Sequence, residues 1–471
     1  MTNPARRGPT AGLVLCLLDV AFLTLAWRVA MLWVGGDPPS ITGLFFPAAT
    51  LLFLYALGLY QREALIEIRR PLGRLPVAAA FGSLTAWAVL SILPERFGSP
   101  DLHLLFAASV PCFAVAGLAA RFVFFLICRR GAFRRRLLVI GAGRRAWDLI
   151  WMLRREARTL AFDVAFLHGP GMGEVDPRLT ADPASNVFMA AGSILATVRD
   201  LDPDQIVVAP DERRGLALEG LLACKMAGYP VNEYARFLEK EIGRIDLKRL
   251  DLGWLLYSDG FTMRLIDRVL KRALDILVSA ALLVLVAPTL LCAAMAVKLA
   301  DRGPVLDRQT HVTRAGRVFG MMKLRTTATS AGFQAAEWVA AQEPRMTPVG
   351  QFLHRVRLDE VPRLVNVLRG EMSLVGPRPE CPRLTRRLAA RLPLYAERHL
   401  VRAGLTGWAQ VSYPEGTSLN VARSKLSYDL FYVKNFGIGF DLLILLQTLR
   451  VVFWPDEPRL PDQPEEPRKD G

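Results

Sequence analysis

Acidic residues are scarce: 44 Asp and Glu face 59 Lys and Arg, leaving a formal net charge of +15. That balance suits anionic partners, namely lipid headgroups, phosphates or nucleic acid. Nucleic acid drops out, because no recognition motif accompanies the charge. Cysteine is sparse too. Cys16, Cys112, Cys128, Cys224, Cys292 and Cys381 are scattered without a C-x-x-C spacing, which excludes a disulfide framework and a zinc site and leaves small buried hydrophobes. The five histidines form no Ser/His arrangement, so a hydrolase triad has no support. No internal repeat is visible, which excludes a solenoid. What is abundant is apolar surface. Hydrophobic residues make up 52% of the chain and the mean hydropathy is +0.27, above soluble values and indicative of membrane segments. At 471 residues the chain has room for two or three domains.

Four apolar runs come first, roughly Ala11–Val34, Leu44–Tyr60, Leu75–Leu93 and Leu104–Cys128. Each approaches the ~20 residues that cross a bilayer as helix. The first carries Asp19 and Arg28 and lacks a small-residue cleavage site, so it reads as an anchor and not a removed signal. Basic residues precede run one (Arg6, Arg7), separate runs two and three (Arg62, Arg69, Arg70, Arg74) and follow run four (Arg129, Arg130, Arg134 to Arg136). Cations favour the cytoplasmic side, so both ends of this bundle are expected there. The expected organisation is a four-helix transmembrane anchor over 1–130, an α/β module over 131–255, a third domain over 256–456 and a disordered tail over 457–471, rich in proline and charge.

The α/β module opens with a buried strand, Leu137-Leu-Val-Ile140, running into Gly141-Ala-Gly143-Arg-Arg-Ala146 and a helix. This is a G-x-G-x-x-A variant of the dinucleotide-binding turn, in a Rossmann-like setting. The acidic ribose ligand is missing. Phe166-Leu167-His168-Gly169 ends the second strand, and Asp163 stands at that strand's beginning. A structural or regulatory use is therefore favoured over NAD catalysis.

A fifth apolar run, Ile276 to Val297, is long enough to cross, yet Lys271 and Arg272 precede it while Lys298, Arg302 and Arg308 follow. Cations at both ends argue for both ends on one side. Pro288 near its middle removes a helical hydrogen bond and bends the helix. A re-entrant helix over about 273–298, broken at Pro288, is the expectation, with a fifth crossing as the alternative.

The densest signal is Val356 to Pro379. The adjacent acids Asp359 and Glu360 lead a short apolar helical pattern, followed by the rigid turn Gly376-Pro377-Arg378-Pro379. Alone, such an acid pair is a solvated helix surface and such a turn is only a turn. Their company changes the reading. Lys271-Arg272-Ala-Leu-Asp275, Gly303-Pro304-Val305, Arg308-Gln309, Lys323-Leu-Arg325, Asp359-Glu360-Val-Pro362, Gly404-Leu-Thr406-Gly407-Trp408-Ala-Gln410, Tyr428-Asp429-Leu-Phe-Tyr432 and Asp441-Leu442 follow in order. From about Asp259 to about Trp454 the chain resembles the bacterial sugar transferases, polyprenyl-phosphate hexose-1-phosphate transferases that start exopolysaccharide and O-antigen assembly. The anchored N-terminal half resembles the long-form members.

The resemblance implies transfer of a sugar 1-phosphate from a UDP-sugar to polyprenyl (undecaprenyl) phosphate, with release of UMP. It implies a mainly α-helical, re-entrant catalytic domain at the cytoplasmic face of the bacterial inner membrane. A homodimer and downstream glycosyltransferases are the implied partners. Asp359 is the implied nucleophile, with Glu360 holding Mg²⁺ (or Mn²⁺) or orienting it. A carboxylate, with a pKa of about 4, is ionised at neutral pH and needs no general base. The diphosphate is anionic, so cations must neutralise it, and Lys323, Arg325, Arg355, Arg357 and Arg378 are the candidates. Pro377, Pro379, Thr406, Gly407, Trp408 and Gln410 are candidates for the sugar or nucleotide pocket, although the glycines equally suit backbone turns.

Departures from the family pattern are informative. An arginine expected five positions before the nucleophile is His354, beside Arg355; Asp-Glu-Leu-Pro-Gln reads Asp359-Glu360-Val-Pro362-Arg363; and Arg402-Ala-Gly404 replaces Lys-Pro-Gly. Two competing readings follow: a catalytically weak scaffold for a polysaccharide assembly complex, and a tethered NAD-dependent oxidoreductase resting on Gly141 to Ala146 alone.

Overall fold

The computed structural model describes residues 11–35, 42–60, 64–65, 72–92, 102–131, 133–156, 161–190, 193–212, 216–247, 260–261, 265–301, 303–327, 346–413, 416 and 418–453. The flanking cations Arg6, Arg7, Arg62, Arg69, Arg70 and Arg302, Trp454 and the tail 457–471 lie outside them. The chain divides into two compact units, 1–243 and 244–471.

The first unit starts with helices α1 (Ala11–Val34), α2 (Thr42–Ala56), α3 (Arg74–Ile92) and α4 (Leu102–Arg129). α1 and α3 both pack on α4, and α2 packs on α3. Among the described residues, four helices are long and apolar enough to cross a membrane: α1, α3, α4 and the helix Leu265–Asp301 of the second unit. This is a membrane protein. α2 differs from the expected second span. At 15 residues and ~1.5 Å per residue it covers only ~22 Å, because the chain leaves the helix in a turn where Gly58 takes a φ of 74°. Inside the bundle Asp19 is fully buried and ion-paired with Arg121 of α4, while the Tyr60 hydroxyl donates to Asp19 at 2.5 Å. A charge among apolar helices persists only when so paired, and here the pair joins α1 to α4. The cysteines fit the expected burial only in part: Cys224 is buried, whereas Cys292 and Cys381 are exposed.

Five parallel strands follow: β1 (Arg134–Ile140), β2 (Ala161–His168), β3 (Asn186–Met189), β4 (Gln205–Val208) and β5 (Val231–Glu233). Their order is β3-β2-β1-β4-β5. Helices α5 (Arg144–Glu156), α6 (Pro177–Thr180), α7 (Ile194–Leu201), α8 (Leu218–Met226) and α9 (Tyr234–Ile242) connect or follow them. Leu137 and Val139 of β1 join one buried cluster, and Leu138 and Ile140 join another. The alternation follows from the strand period of two, with both faces covered, as a parallel sheet requires. At the glycine-rich turn the carboxylate of Asp211, just beyond β4, accepts from the backbone N–H groups of Arg144 (2.7 Å) and Arg145 (2.9 Å). Gly143 has no room for a side chain, since a Cβ there would lie 2.2 Å from Asp211 Oδ2. Asp163, the sequence candidate for a ribose ligand, instead faces Arg134 at 3.6 Å.

The second unit opens with α10 (Leu265–Asp301), a 37-residue helix containing Pro288. The hairpin β6 (Leu306–Val312) and β7 (Val318–Leu324) is antiparallel. Next come α11 (Pro348–Arg355), a 3-10 turn at Leu358–Glu360, α12 (Arg363–Arg369), β8 (Ser373–Val375), α13 (Pro382–Ala389) and a 3-10 segment at Tyr395–Leu400. The unit closes with β9 (Gly404–Thr406), α14 (Trp408–Ser412), α15 (Leu419–Asn435) and α16 (Ile438–Phe453). Its core gathers Met321, Leu364, Val367, Leu374, Trp408, Tyr428, Tyr432 and Ile444.

Candidate functional site

The acid pair sits on a tightly wound corner. Thr347 caps α11 by accepting from Gly350 N at 2.9 Å, with Pro348 at the first helical position, which is standard helix-start chemistry. Gly350 lets α11 press on the end of β7, where a Cβ would meet the Thr326 carbonyl at 2.0 Å. After α11 the backbone reverses at Arg357, whose φ of 55° is left-handed. Such a conformation is strained for a side-chain-bearing residue and persists only where surrounding contacts enforce it. The reversal turns Asp359 inward, leaving it 4% exposed.

Asp359 has one engaged and one open oxygen. Oδ2 lies 3.1 Å from His354 Nδ1, so the position expected to be arginine still faces Asp359. Oδ1 is buried and has no hydrogen-bond partner among the described residues. A buried carboxylate oxygen without a donor is costly, and attack on an incoming electrophile is a use that repays leaving it open. Glu360 points elsewhere, to Arg363 at 3.1 Å.

Cations surround this corner. Burial, the largest cause, holds the Arg363 guanidinium below its ordinary range, and Arg378 and Arg357 push the same way, while Glu360 and Asp359 oppose them. Burial likewise lowers His311, aided by Arg363, Lys323 and Arg378 and opposed by a backbone hydrogen bond. Of the sequence candidates, Arg357 and Arg378 thus act with Asp359 and Glu360 on Arg363, while Lys323 and Arg378 act on His311; Arg363 and His311 are additions to those candidates. Lys323 also faces Asp307 at 3.8 Å. Arg325 is buried just beyond the end of β7, with its backbone N–H bonded to Val305 O at 2.9 Å. Arg355 is exposed at the end of α11.

Four anchors hold the corner and the Pro-Arg-Pro turn. Asn366, fully buried, accepts from Met322 N at 3.0 Å and donates to Gly320 O at 2.9 Å and Glu371 at 2.6 Å, clamping α12 to β7. Arg398 Nη2 donates to the Arg378 carbonyl at 2.9 Å and pairs with Asp429 at 2.9 Å. Lys271 bonds Asp441 at 2.5 Å and the Val375 carbonyl at 3.2 Å. Asp275 accepts from Ser373 Oγ and Leu374 N, each at 3.0 Å. The charged residues at the start of α10 therefore fasten β8, the strand leading into the turn.

The remaining sequence candidates build the wall behind the turn. Gly376 N donates to Thr406 O and Gly404 N to Pro377 O, both at 2.9 Å. A Cβ on Gly407 would lie 2.2 Å from Gly376 O, so this glycine serves a close backbone approach. Pro377 and Pro379 are buried. Thr406 shares a hydrogen bond with Thr448 at 2.8 Å. Trp408 lies in the core, its ring centroid 5.1 Å from that of Phe440. Gln410 Oε1 is buried without a hydrogen-bond partner among the described residues. α10 runs from Leu265 to Asp301 through Pro288, so the break expected there is not seen. Arg363, His311, Asn366 and Arg398 escaped sequence reasoning. The only available signal was the Arg363 departure from the family pattern.

Among the described residues, no group of three or more His, Cys, Asp or Glu side chains is arranged to hold a metal. Of the acid pair, Asp359 keeps an unpaired oxygen while Glu360 is engaged by Arg363; a hard cation held there would take its other ligands from phosphate and water.

Comparison with known proteins covers this same unit. Residues 266–455 match the bacterial sugar transferase family. The chain is 34% identical over 260 residues to "UDP-N-acetylgalactosamine-undecaprenyl-phosphate N-acetylgalactosaminephosphotransferase" of Aeromonas hydrophila, covering 55% of this chain and 58% of that protein. It is 37% identical over 186 residues to "UDP-glucose:undecaprenyl-phosphate glucose-1-phosphate transferase" of Escherichia coli (strain K12), covering 39% and 40%. The chain thus spans about half the length of these two relatives. A Caulobacter vibrioides protein of the same name as the second is 37% identical over 219 residues, covering 45% of this chain and 82% of its own length. With that relative matched along most of its length, the chain belongs to the bacterial sugar transferase family.

Proposed function

We propose that this protein transfers a sugar 1-phosphate from a UDP-sugar to polyprenyl phosphate, giving polyprenyl-diphosphate sugar and UMP. The observation that carries the reading is the buried, unpaired Oδ1 of Asp359. Asp359 attacks the phosphorus that bears the sugar. The phosphoanhydride bond breaks, UMP leaves with the bonding electrons, and a phosphosugar–aspartyl ester remains. A phosphate oxygen of the polyprenyl lipid then attacks the same phosphorus, and the Asp359 carboxylate leaves with the electrons of its own bond. Lys323, Arg357 and Arg378 offset the charge of the diphosphate. Asp359 and Glu360 would hold Mg²⁺ or Mn²⁺, which when bound supplies further neutralisation of the phosphate oxygens.

The setting follows from α10. Arg272 near its start donates to the Val367 and Leu368 carbonyls at 2.7 and 2.8 Å. Ala293 and Val297 near its end pack with Leu324 and Leu353. Both ends of the apolar stretch rest on one domain, which supports the re-entrant reading, with both ends at the cytoplasmic face of the inner membrane. The parallel sheet of the first unit supports a Rossmann-like module of structural use, its phosphate seat taken by Asp211.

The test uses purified protein in nanodiscs with undecaprenyl phosphate, Mg²⁺ and a panel of UDP-sugars, following UMP release and lipid-linked sugar. Asp359→Asn should abolish both turnover and the trapped phosphosugar ester. Appreciable turnover in that variant would refute the assignment.

A further inference from the structure

Arg363 is placed against several elementary preferences at once. It is the first residue of α12, and the start of a helix carries positive partial charge, which disfavours a cation. Its side chain is only 12% exposed, so the guanidinium has lost most of its hydration. Two more arginines, Arg357 and Arg378, act on it repulsively. Its Nε is buried without a hydrogen-bond partner among the described residues. Against these costs stand one ion pair, Glu360 at 3.1 Å, and the charge of Asp359. A glutamine, the residue that the related pattern carries here, would avoid the costs that come from charge. Local rules broken with so little compensation mark a site where a ligand can supply the rest.

We propose that Arg363 is a phosphate-recognition residue, a gain of this chain over the common pattern, which holds Glu360 in the free protein and contacts a phosphate group when substrate binds. The inference rests on the transferase reading for the identity of that substrate. The chemistry itself, a planar fork beside two further arginines, selects a phosphate with more than one free oxygen. Both the donor's diphosphate and the lipid's phosphate meet that description. The donor is expected on position: Arg363 shares the charge environment of the nucleophile, and the donor's phosphorus must reach that nucleophile first.

The experiment measures UDP binding to the full-length protein in nanodiscs lacking polyprenyl phosphate, by calorimetry, for the parent, Arg363→Gln and Arg363→Lys. No turnover is needed, so an inactive parent would count against the transferase reading without touching this one. Losing a charge-assisted hydrogen bond should weaken UDP binding about tenfold or more in Arg363→Gln. Arg363→Lys should recover part of the loss, because it keeps charge but not the fork. Thermal stability of Arg363→Gln should stay level or rise, which a merely structural role would not produce. In turnover assays a raised KM for the UDP-sugar alone assigns the contact to the donor. A raised KM for polyprenyl phosphate, with UDP affinity unchanged, assigns it to the lipid and overturns the donor assignment. UDP affinity and both KM values within about twofold of the parent would overturn the proposal altogether. Should Arg363→Gln fail to fold, Arg363→Lys decides alone: weakened UDP binding by folded protein upholds the proposal, and parental binding overturns it.

Discussion

Arg398→Met tests how the Pro-Arg-Pro turn is held. Arg398 and Asp429 face each other at 2.9 Å with side chains only 6% and 5% exposed. Removing one member of such a pair strands the other and costs about 3–5 kcal/mol. Burial has already pushed the Asp429 carboxyl up to about 6, against the opposing pull of Arg398. Without Arg398 that value rises further, so the variant escapes much of the cost by taking a proton when protons are available. A carboxyl whose folded pKa lies above its unfolded one loses stability as pH rises through the folded value. The deficit should therefore be larger at about pH 8 than at about pH 5. At about 2–4 °C per kcal/mol for a unit of this size, the transition should fall by about 6–20 °C at the higher pH. The assay is thermal unfolding in detergent. Arg398→Met/Asp429→Leu should recover most of the loss, since replacing both charges by apolar groups is nearly neutral. The double variant still lacks the hydrogen bond to the Arg378 carbonyl, so its transfer activity should remain low. A single variant within about 2 °C of the parent, or a double variant no more stable than the single, would refute the reasoning.

Three further outcomes follow. Gly407→Ala should destabilise by about 2–3 kcal/mol, because a new Cβ would meet a backbone carbonyl that cannot easily move; Gly320→Ala, with nothing within 4 Å of the added Cβ, is the control in the same melts. His354→Ala removes the described partner of Asp359 Oδ2 and should lower kcat about tenfold with little change in melting temperature, since the histidine side chain is 61% exposed. Burial, then the neighbouring Arg398, lowers His399 from 6.5 to about 4. Its contribution is complete above the unfolded value and is lost as pH falls from there towards the folded one. Discounted for partial exposure, it amounts to about 1–2 kcal/mol. Asp429 titrates in the opposite sense, so the quantity to measure is the difference in melting temperature between parent and His399→Gln, which should shrink on acidification.

Local pattern made much of this protein legible. The buried strand Leu137–Ile140 with its glycine turn and the acid pair before α12 both depend on neighbours within a few residues. What escaped was long-range. Asp211 meets Arg144 across 67 residues, and Lys271 meets Asp441 across 170; no window along the chain contains either pair. The pocket candidates divide for the same reason. Trp408 is drawn into the core by Tyr428, Phe431 and Phe440, residues that motif reading treats as separate signals. The second apolar run is hydrophobic over a sufficient length, but hydropathy does not register where Gly58 ends the helix.

The carboxylate of Asp211 carries a consequence for any nucleotide that approaches the glycine turn of the first unit. A tethered group competes at an effective concentration set by its tether, in the millimolar range even for a short flexible link. Asp211 belongs to the same chain and already accepts from both N–H groups, so it competes from within the site. A free dinucleotide would have to displace it while bringing negative charge towards a carboxylate. In this structure the N–H groups of the turn serve the chain's own side chain, so the glycine pattern by itself is no report of cofactor use.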